Sequence, residues 1–368
     1  MSGFFYRGEV SALRLSSSLA LRVVPGRNTI PIIDHFWMRA DEGSLLMTGT
    51  NLDTSITVRT GGECEGAIAV PAERLNYFLS NLPSGGDISI VQKESSVECR
   101  CGSAKYVLPT MSEAEFPGSI SAPIDATNSF EFEGKFLSNT LKHCAQACAS
   151  EKNRTYLMGA WFFYGSKPSI IATDSYIAAE EGAPTMHRGA DGNFSIPSGA
   201  IPSVLSACNS EKSTIEIDGR AVQVSSENVR VRTKMLDSDA PPPFDRAIPR
   251  NQKVRGIVSW DDLYKTVSLG TIIKASGTEG GVAKVRFANG KLSVGATNNG
   301  EVAFDECDCE TGDEPFEFLA PIARLKWAIS VLSSHDTIEI SGNSPISAIN
   351  FIPLASRSSL RLVYPRKF

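Results

Sequence analysis

One layout occurs three times in this 368-residue chain, and it limits the possible folds more than any single motif does. Near Pro71, Pro197 and Pro321 an apolar residue precedes the proline, a helical stripe follows, and alternating strands come after. The stripes are Leu75, Phe78, Leu79 and Leu82; Ile201, Val204, Leu205 and Cys208; and Leu325, Ala328, Ile329 and Leu332. Each is spaced i, i+3, i+4, i+7, one face of an α-helix. The prolines lie 126 and 124 residues apart. A second marker, Thr50-Asn51, Thr173-Asp174 and Thr297-Asn298, keeps nearly the same period. A unit of about 125 residues is of domain size and far longer than the roughly 20–50 residues of a solenoid repeat.

The strands after each marked helix have period two. In the second unit Thr214–Ile217 turns at Asp218-Gly219 into Ala221–Val224, and Ser225–Asn228 leads to Val229–Thr233. Such consecutive hairpins form an antiparallel meander with one buried face. The first unit offers Ile88–Ile90, Val97–Cys99 and Tyr106–Leu108; the third offers Thr337–Ile340, Ile346–Phe351 and Leu360–Val363. A further helix precedes each marked one: Leu137, Leu141 and Cys144 share a face, as do Leu263, Val267 and Ile273, while Val10–Val24 is less regular. The expected fold is therefore α+β, three similar domains each with two helices packed on antiparallel sheets. Linkers are expected at Pro117–Asn128 and at Pro241–Val254, where Pro241-Pro242-Pro243 interrupts any element. The domains then run 1–122, 129–250 and 254–368.

Hydrophobic content of 42% and charged content of 21% are those of a globular protein. No run approaches the ~18 apolar residues of a membrane span, and Met1–Arg7 does not read as a signal peptide, so the expected compartment is the cytoplasm. The eight cysteines, including Cys99/Cys101, Cys307/Cys309 and Cys144/Cys148, lack paired C-x2-C spacing. They read as reduced structural thiols, with no metal site. His35, His143, His187 and His335 have no recurring partner motif, and no phosphate-binding loop, nucleophile elbow or dinucleotide fingerprint occurs.

The segments Pro25–Ile32, Leu46–Leu52, Tyr106–Met111 continuing to Glu115-Phe116-Pro117, Tyr156–Gly159, Ala172–Asp174 and Leu362–Arg366 occur in order along the repeat. In that order they resemble the bacterial DNA polymerase III β subunit, the β sliding clamp, over the whole chain. The resemblance implies a head-to-tail homodimeric ring that encircles duplex DNA without regard to sequence. It also implies a non-catalytic subunit that tethers the replicative polymerase and needs no cofactor. Its partners would be a clamp loader and other proteins carrying clamp-binding motifs, with no membrane involved.

A net charge of −5 suits such a ring, because sliding needs only modest positive potential on the helices. Basic helix candidates are Arg22, Arg27, Arg74, Lys142, Lys152, Arg154, Lys265, Lys274, Arg324 and Lys326. The resemblance adds Tyr156 to the DNA-binding set and favours Arg27 and the loop Arg154-Thr155-Tyr156. Ser198 departs from the family, which usually has a basic residue near there. It assigns the dimer interface to Tyr106, Leu108, Ile272 and Ile273. It assigns a partner-peptide pocket to Leu157, Thr173, Ser175, Tyr176, Ile177, Ala178, Pro242, Arg246, Ala247, Leu362, Tyr364, Pro365 and Arg366. Where the family typically reads Ala-Thr-Asp-Gly-His-Arg-Leu, this chain has Ala172-Thr173-Asp174-Ser175-Tyr176-Ile177-Ala178. An altered peptide preference is expected from that change. A second reading is a plasmid- or phage-type paralogue that serves a specialised polymerase or competes with the main clamp. A third, an enzyme using Asp174, Asp245 and Asp261-Asp262 as metal carboxylates, has no feature that brings them together.

Overall fold

The computed structural model describes the chain except residues 1–2, 27–28, 119–121, 123, 152, 188–189, 239, 245–247, 271–280, 299–300, 333–335, 356–358 and 366–368. Contacts divide it into two compact units, Met1–Leu141 with Phe194–Met235, and Lys142–Asn193 with Leu236–Phe368.

Among the described residues the helices include α1 (Val10–Ala20), α2 (Ala72–Ser80), α3 (Gly134–Ala147), α4 (Ile201–Val204), α5 (Trp260–Gly270) and α6 (Ile322–Ser330). The three marker prolines have one structural job. Pro71 and Pro321 are the N-cap residues of α2 and α6, and Pro197 is the N-cap of the 3-10 turn Ser198–Ala200 that leads into α4. Their φ/ψ values are −52/114 degrees at Pro71, −57/140 at Pro197 and −57/128 at Pro321, one extended conformation in all three. Proline suits this position because its ring fixes φ and it has no N–H to leave unsatisfied where a strand ends and a helix starts.

Two stripes fall as expected, with Leu75 and Leu79 buried on α2, and Leu325, Ala328 and Ile329 on α6. The second helix differs. Only one α-turn forms, continued as the 3-10 segment Leu205–Cys208, and Leu205 is half-buried while Ile201, Val204 and Cys208 are buried. Three residues per turn rotate the later side chains off a 3.6-residue stripe. The last strand pair also starts later than the sequence suggests. Ser344–Ser347 closes a turn, Ile346 is exposed, and the strand is Ile349–Pro353.

In the first unit a five-stranded sheet runs in the order Glu63–Glu65, Phe5–Glu9, Asp87–Lys93, Ser96–Cys101, Ala104–Pro109. An eight-stranded sheet runs Asn128–Glu133, Lys212–Ile217, Ala221–Ser225, Val229–Lys234, Thr54–Gly61, Ser44–Thr50, His35–Asp41, Ala67–Pro71. Val229–Lys234 pairs antiparallel with Thr54–Gly61, Thr233 opposite Thr54, so two successive repeats share one sheet. The core beneath collects Tyr6, Leu13, Phe36, Met47, Leu75, Leu79, Ile90 and Leu108 from both sheets and from α1 and α2.

The second unit repeats the device. Its large sheet includes, in order, Gly159–Tyr164, Ser169–Thr173, Ile177–Gly182, Ser359–Val363, Ile349–Pro353, Thr337–Ser341, Val254–Ser259 and Glu310–Thr311. Ile177–Gly182 pairs with Ser359–Val363, Ile177 opposite Val363. A four-stranded sheet runs Glu301–Asp308, Lys291–Asn298, Val282–Ala288, Phe316–Pro321. All eight cysteines are free, and burial pushes the Cys99 and Cys148 thiols up to about 12. Thiols held this far above neutrality are poor nucleophiles.

Candidate functional site: a threonine-capped turn, an apolar groove and two bare strand edges

The Thr-Asn/Asp marker encodes a specific turn. In Thr173–Ile177 the Thr173 hydroxyl donates to the Ile177 carbonyl (2.6 Å) and accepts from the Ser175 N–H (3.1 Å). Asp174 Oδ1 accepts from the N–H groups of Tyr176 (2.7 Å) and Ile177 (2.8 Å). Thr50–Thr54 makes the same four bonds: Thr50 to the Thr54 carbonyl and from the Leu52 N–H, Asn51 Oδ1 from Asp53 and Thr54. A short side chain two residues before the N–H groups it accepts from is an Asx turn. Both turns force the third residue left-handed, φ +75° at Leu52 and +80° at Ser175, where only glycine is unstrained. Each turn then hands its fourth carbonyl to the next repeat. Asp53 O accepts from the Lys234 N–H (2.9 Å) and Tyr176 O from the Tyr364 N–H (2.8 Å).

Of the residues assigned to the peptide pocket, Thr173 to Ala178 form the second turn and the strand it opens, and Leu362 and Tyr364 lie on the segment bonded to it. Leu157, Thr173, Ile177, Ala178, Pro242 and Leu362 are buried, Tyr364 and Pro365 are half-buried, and Ser175 and Tyr176 are exposed. Ala178 and Leu362 are directly opposite in the sheet and share a cluster with Trp161, Phe244 and Ile248, against which Tyr364 packs. Phe244 meets Phe163 edge-on at 5.8 Å, which anchors the proline-rich linker to the sheet. A groove of about 1420 Å³ is lined by apolar residues such as Phe163, Pro242 and Phe244 and by charged ones such as Lys167, Glu180 and Arg250; of the assigned set it contains Pro242. Arg246, Ala247 and Arg366 lie outside the described residues.

Two guanidiniums flank the turn. Arg154 Nη1 donates to Ser175 Oγ (3.1 Å), and Arg324 lies over the Tyr176 ring at 4.3 Å. Arg154, assigned to DNA, thus also touches the pocket turn. Tyr156 is exposed, and its carbonyl is held by Trp161 Nε1 (2.7 Å). Arg22 is exposed and reaches Ser206 Oγ (2.8 Å); Arg74, Lys142, Lys265 and Lys326 are exposed on their helices. Acidic neighbours Glu73, Asp261 and Asp262 are exposed on α2 and α5, so the helix surface is only mildly basic. Arg27, Lys152 and Lys274 lie outside the described residues.

Among the described residues, Ala104–Pro109 is an edge strand of one small sheet and Glu301–Asp308 an edge strand of the other. On the first, Leu108 is buried in the chain's own core, Tyr106 is half-buried 5.2 Å from Phe78, and Val107 is exposed. On the second, Val302 and Phe304 are 72% and 59% exposed. Sequence reasoning passed over these three exposed apolar residues, though Val302 and Phe304 alternate in a strand. Ile272 and Ile273 lie outside the described residues.

Sequence reasoning also passed over Arg361, 1% exposed. Its Nη2 pairs with Glu181 and lies 3.1 Å from His143 Nδ1, while Nη1 donates to the carbonyls of Leu360 (2.9 Å) and Glu180 (3.2 Å). Ser359 donates to the other Glu181 oxygen. Burial alone would raise the Glu181 carboxyl, but His143, Arg361 and Ser359 outweigh it and hold it below its ordinary value.

Residues 12–121 match the family described as DNA polymerase III beta subunit, N-terminal domain. The chain is 22% identical over 358 residues to the beta sliding clamp of Salmonella typhimurium, covering 93% of this chain and 94% of that one. Over 109 residues, 28% of this chain and 29% of that one, it is 32% identical to the beta sliding clamp of Synechococcus elongatus. Among solved structures, the Pseudomonas aeruginosa DnaN sliding clamp bound to griselimycin superimposes with a TM-score of 0.91 at 20% identity, over 100% of both chains. The Caulobacter crescentus beta sliding clamp gives 0.90 at 21%, again over 100% of both. The fold is that of the DNA sliding clamps. Within that class the chain is a divergent relative of the bacterial DNA polymerase III β subunits.

Proposed function

We propose that this protein is a DNA sliding clamp, a non-catalytic processivity factor that encircles duplex DNA as a homodimeric ring. The observation that carries this reading is relatedness to β sliding clamps along 93% of the chain, in the order of the repeats. Three domains, 1–122, 129–250 and 254–368, make up each subunit, and the protein works in the cytoplasm. Among the described residues no helix is long and apolar enough to cross a membrane.

Two copies join head to tail, the Ala104–Pro109 edge of one pairing with the Glu301–Asp308 edge of the other. Unpaired strand edges bearing exposed apolar side chains are templates for such pairing. Tyr106, Val107, Val302 and Phe304 supply the apolar contact, together with Ile272 and Ile273. Arg22, Arg27, Arg74, Lys152, Arg154 and Tyr156 are the DNA-binding residues. A mildly basic surface that meets phosphates without reading bases holds DNA and still lets it slide.

Polymerase, clamp loader and other partners dock short peptides on the apolar floor formed by Leu157, Ala178, Leu362 and Tyr364. Tyr176 and Ser175, at positions where the family typically has histidine and glycine, place an aromatic ring and a hydroxyl at the rim, next to Arg154 and Arg324. Peptide preference shifts accordingly. Light scattering across a dilution series tests the ring: a mass of about 79 kDa, twice 39.6 kDa, supports it, and a monomer at every concentration overturns it. Fluorescence titration with a labelled clamp-binding peptide tests the pocket, with binding lost in Leu362→Asp; undiminished binding would remove the assignment.

A further inference from the structure

The face of the eight-stranded sheet turned away from α1 carries a cluster of arginines that the proposed function does not use. Thr60 bonds Ser16 of α1, so alternation turns Arg59 and Thr57 to the opposite face. Phe36 and Met38 enter the core, which turns Trp37, Arg39 and Asp41 outward; buried Val231 does the same for Arg230 and Arg232. The register brings three of these together. Arg39 is opposite Leu46, Leu46 is opposite Arg59, and Arg230 is opposite Thr57, one diagonal step from Arg59. Ser225 is directly opposite Arg230 on the next strand.

Among the described residues their polar partners are few. Asp41 takes one guanidinium, Arg59, at 2.5 Å. Glu216, also on this face, already accepts from Gln223 Nε2 (2.7 Å). Arg232 is held by the Ala122 carbonyl (3.1 Å) and Asp218 (3.5 Å). Arg39 lies over the Trp37 ring at 5.1 Å, and its buried Nε meets no acceptor among the described residues. The Ser225 hydroxyl, also buried, has no partner among them either. Arg230 makes no ion pair or hydrogen bond among the described residues; burial, with Arg39 and Arg59 adding to it, outweighs the more distant carboxylates of Glu216 and Asp41 and pushes it below its ordinary value. Other inward-lying arginines are well supplied: Arg14 donates to the carbonyls of Leu79, Leu82 and Pro83, and Arg255 to those of Gly342 and Asn343.

We propose that Arg39, Arg59 and Arg230, with the Ser225 hydroxyl, form a binding site for one oxyanion, a carboxylate or a phosphate group. Guanidinium forks match the planar or trigonal oxygens of both groups, and half-burial strengthens each charge-assisted bond. Asp41 and Glu216 offset two of the three guanidinium charges, which leaves the site with a net positive charge that favours anions.

Isothermal titration of the full chain at fixed ionic strength tests this, with inorganic phosphate in one arm and hexaglutamate in the other. Saturable binding of one anion per chain is expected, weakened roughly tenfold by either Arg230→Gln or Arg39→Gln, the factor for one lost charge-assisted bond. Arg100→Gln, on the other sheet, leaves it unchanged. Saturation by phosphate identifies a phosphate-type ligand; saturation by hexaglutamate alone identifies carboxylates of a protein partner. Two variants are used so that a folding defect in one, seen by circular dichroism, leaves the other to decide. Binding of neither anion, or binding indifferent to both substitutions, overturns the proposal.

Discussion

Replacing Arg361 with methionine removes one side of a buried ion pair and keeps most of the volume. Arg361 is 1% exposed and Glu181 is buried, so the variant strands a carboxylate with only Ser359 and His143 near it. Stranding a buried charge costs about 3–5 kcal/mol. Domain-sized units of 150–250 residues lose about 2–4 °C of Tm per kcal/mol, so the second unit should melt roughly 6–20 °C lower. Scanning calorimetry should show this as an early transition. Arg361→Met/Glu181→Met removes both charges and should recover most of the loss, because hydrophobic replacement of a whole buried pair is close to neutral. The strand involved carries Leu362 opposite Ala178, so the single variant should also lose peptide affinity and the double variant regain it. A drop of under about 1 kcal/mol for the single variant, or a double variant less stable than the single, would refute the reasoning.

Glu181 also sets a pH dependence. Its folded pKa is depressed, so its contribution is full above the unfolded value of about 4.3 and disappears as pH falls through the lower folded value. The Tm advantage of the native chain over Glu181→Gln should shrink across that acid range; an advantage that grows with acid would contradict it. Ser175→Gly relieves the +80° φ and should raise stability by about 1 kcal/mol, read as a higher Tm, whereas a lower Tm would mean that the Arg154 bond outweighs the strain. Phe304→Asp and Val107→Asp, both on exposed side chains, should halve the mass seen by light scattering while changing the subunit's own stability by no more than about 0.5 kcal/mol. A dimer that survives both would move the interface elsewhere.

Much of the architecture could be read from punctuation in the sequence. The prolines mark strand-to-helix switches because that position tolerates a missing N–H, and Thr50-Asn51 and Thr173-Asp174 mark turns because each side chain closes its own loop. What escaped depends on partners distant in sequence. The face of α1 is irregular because Ser16 and Ser17 are buried on it, satisfied by Thr60 and Asn76, so polar residues interrupt the apolar stripe. Arg361 sits between Leu360 and Leu362 and reads as solvent-facing by alternation; the partners that bury it, His143 and Glu181, are about 200 residues away in sequence. The pocket residues came from likeness to a family. Spacing alone would have left Thr173 and Asp174 as a turn and Leu362 as core.

Encirclement is the central claim, and DNA topology tests it most directly. The protein would be loaded onto nicked circular plasmid with its clamp loader and ATP, separated from free protein by gel filtration, and the plasmid then linearised with a single-cutting nuclease. A ring topologically linked to the circle predicts co-elution before cutting and release by sliding off the ends afterwards. Protein that stays on the linear DNA, or never elutes with the circle, would contradict it.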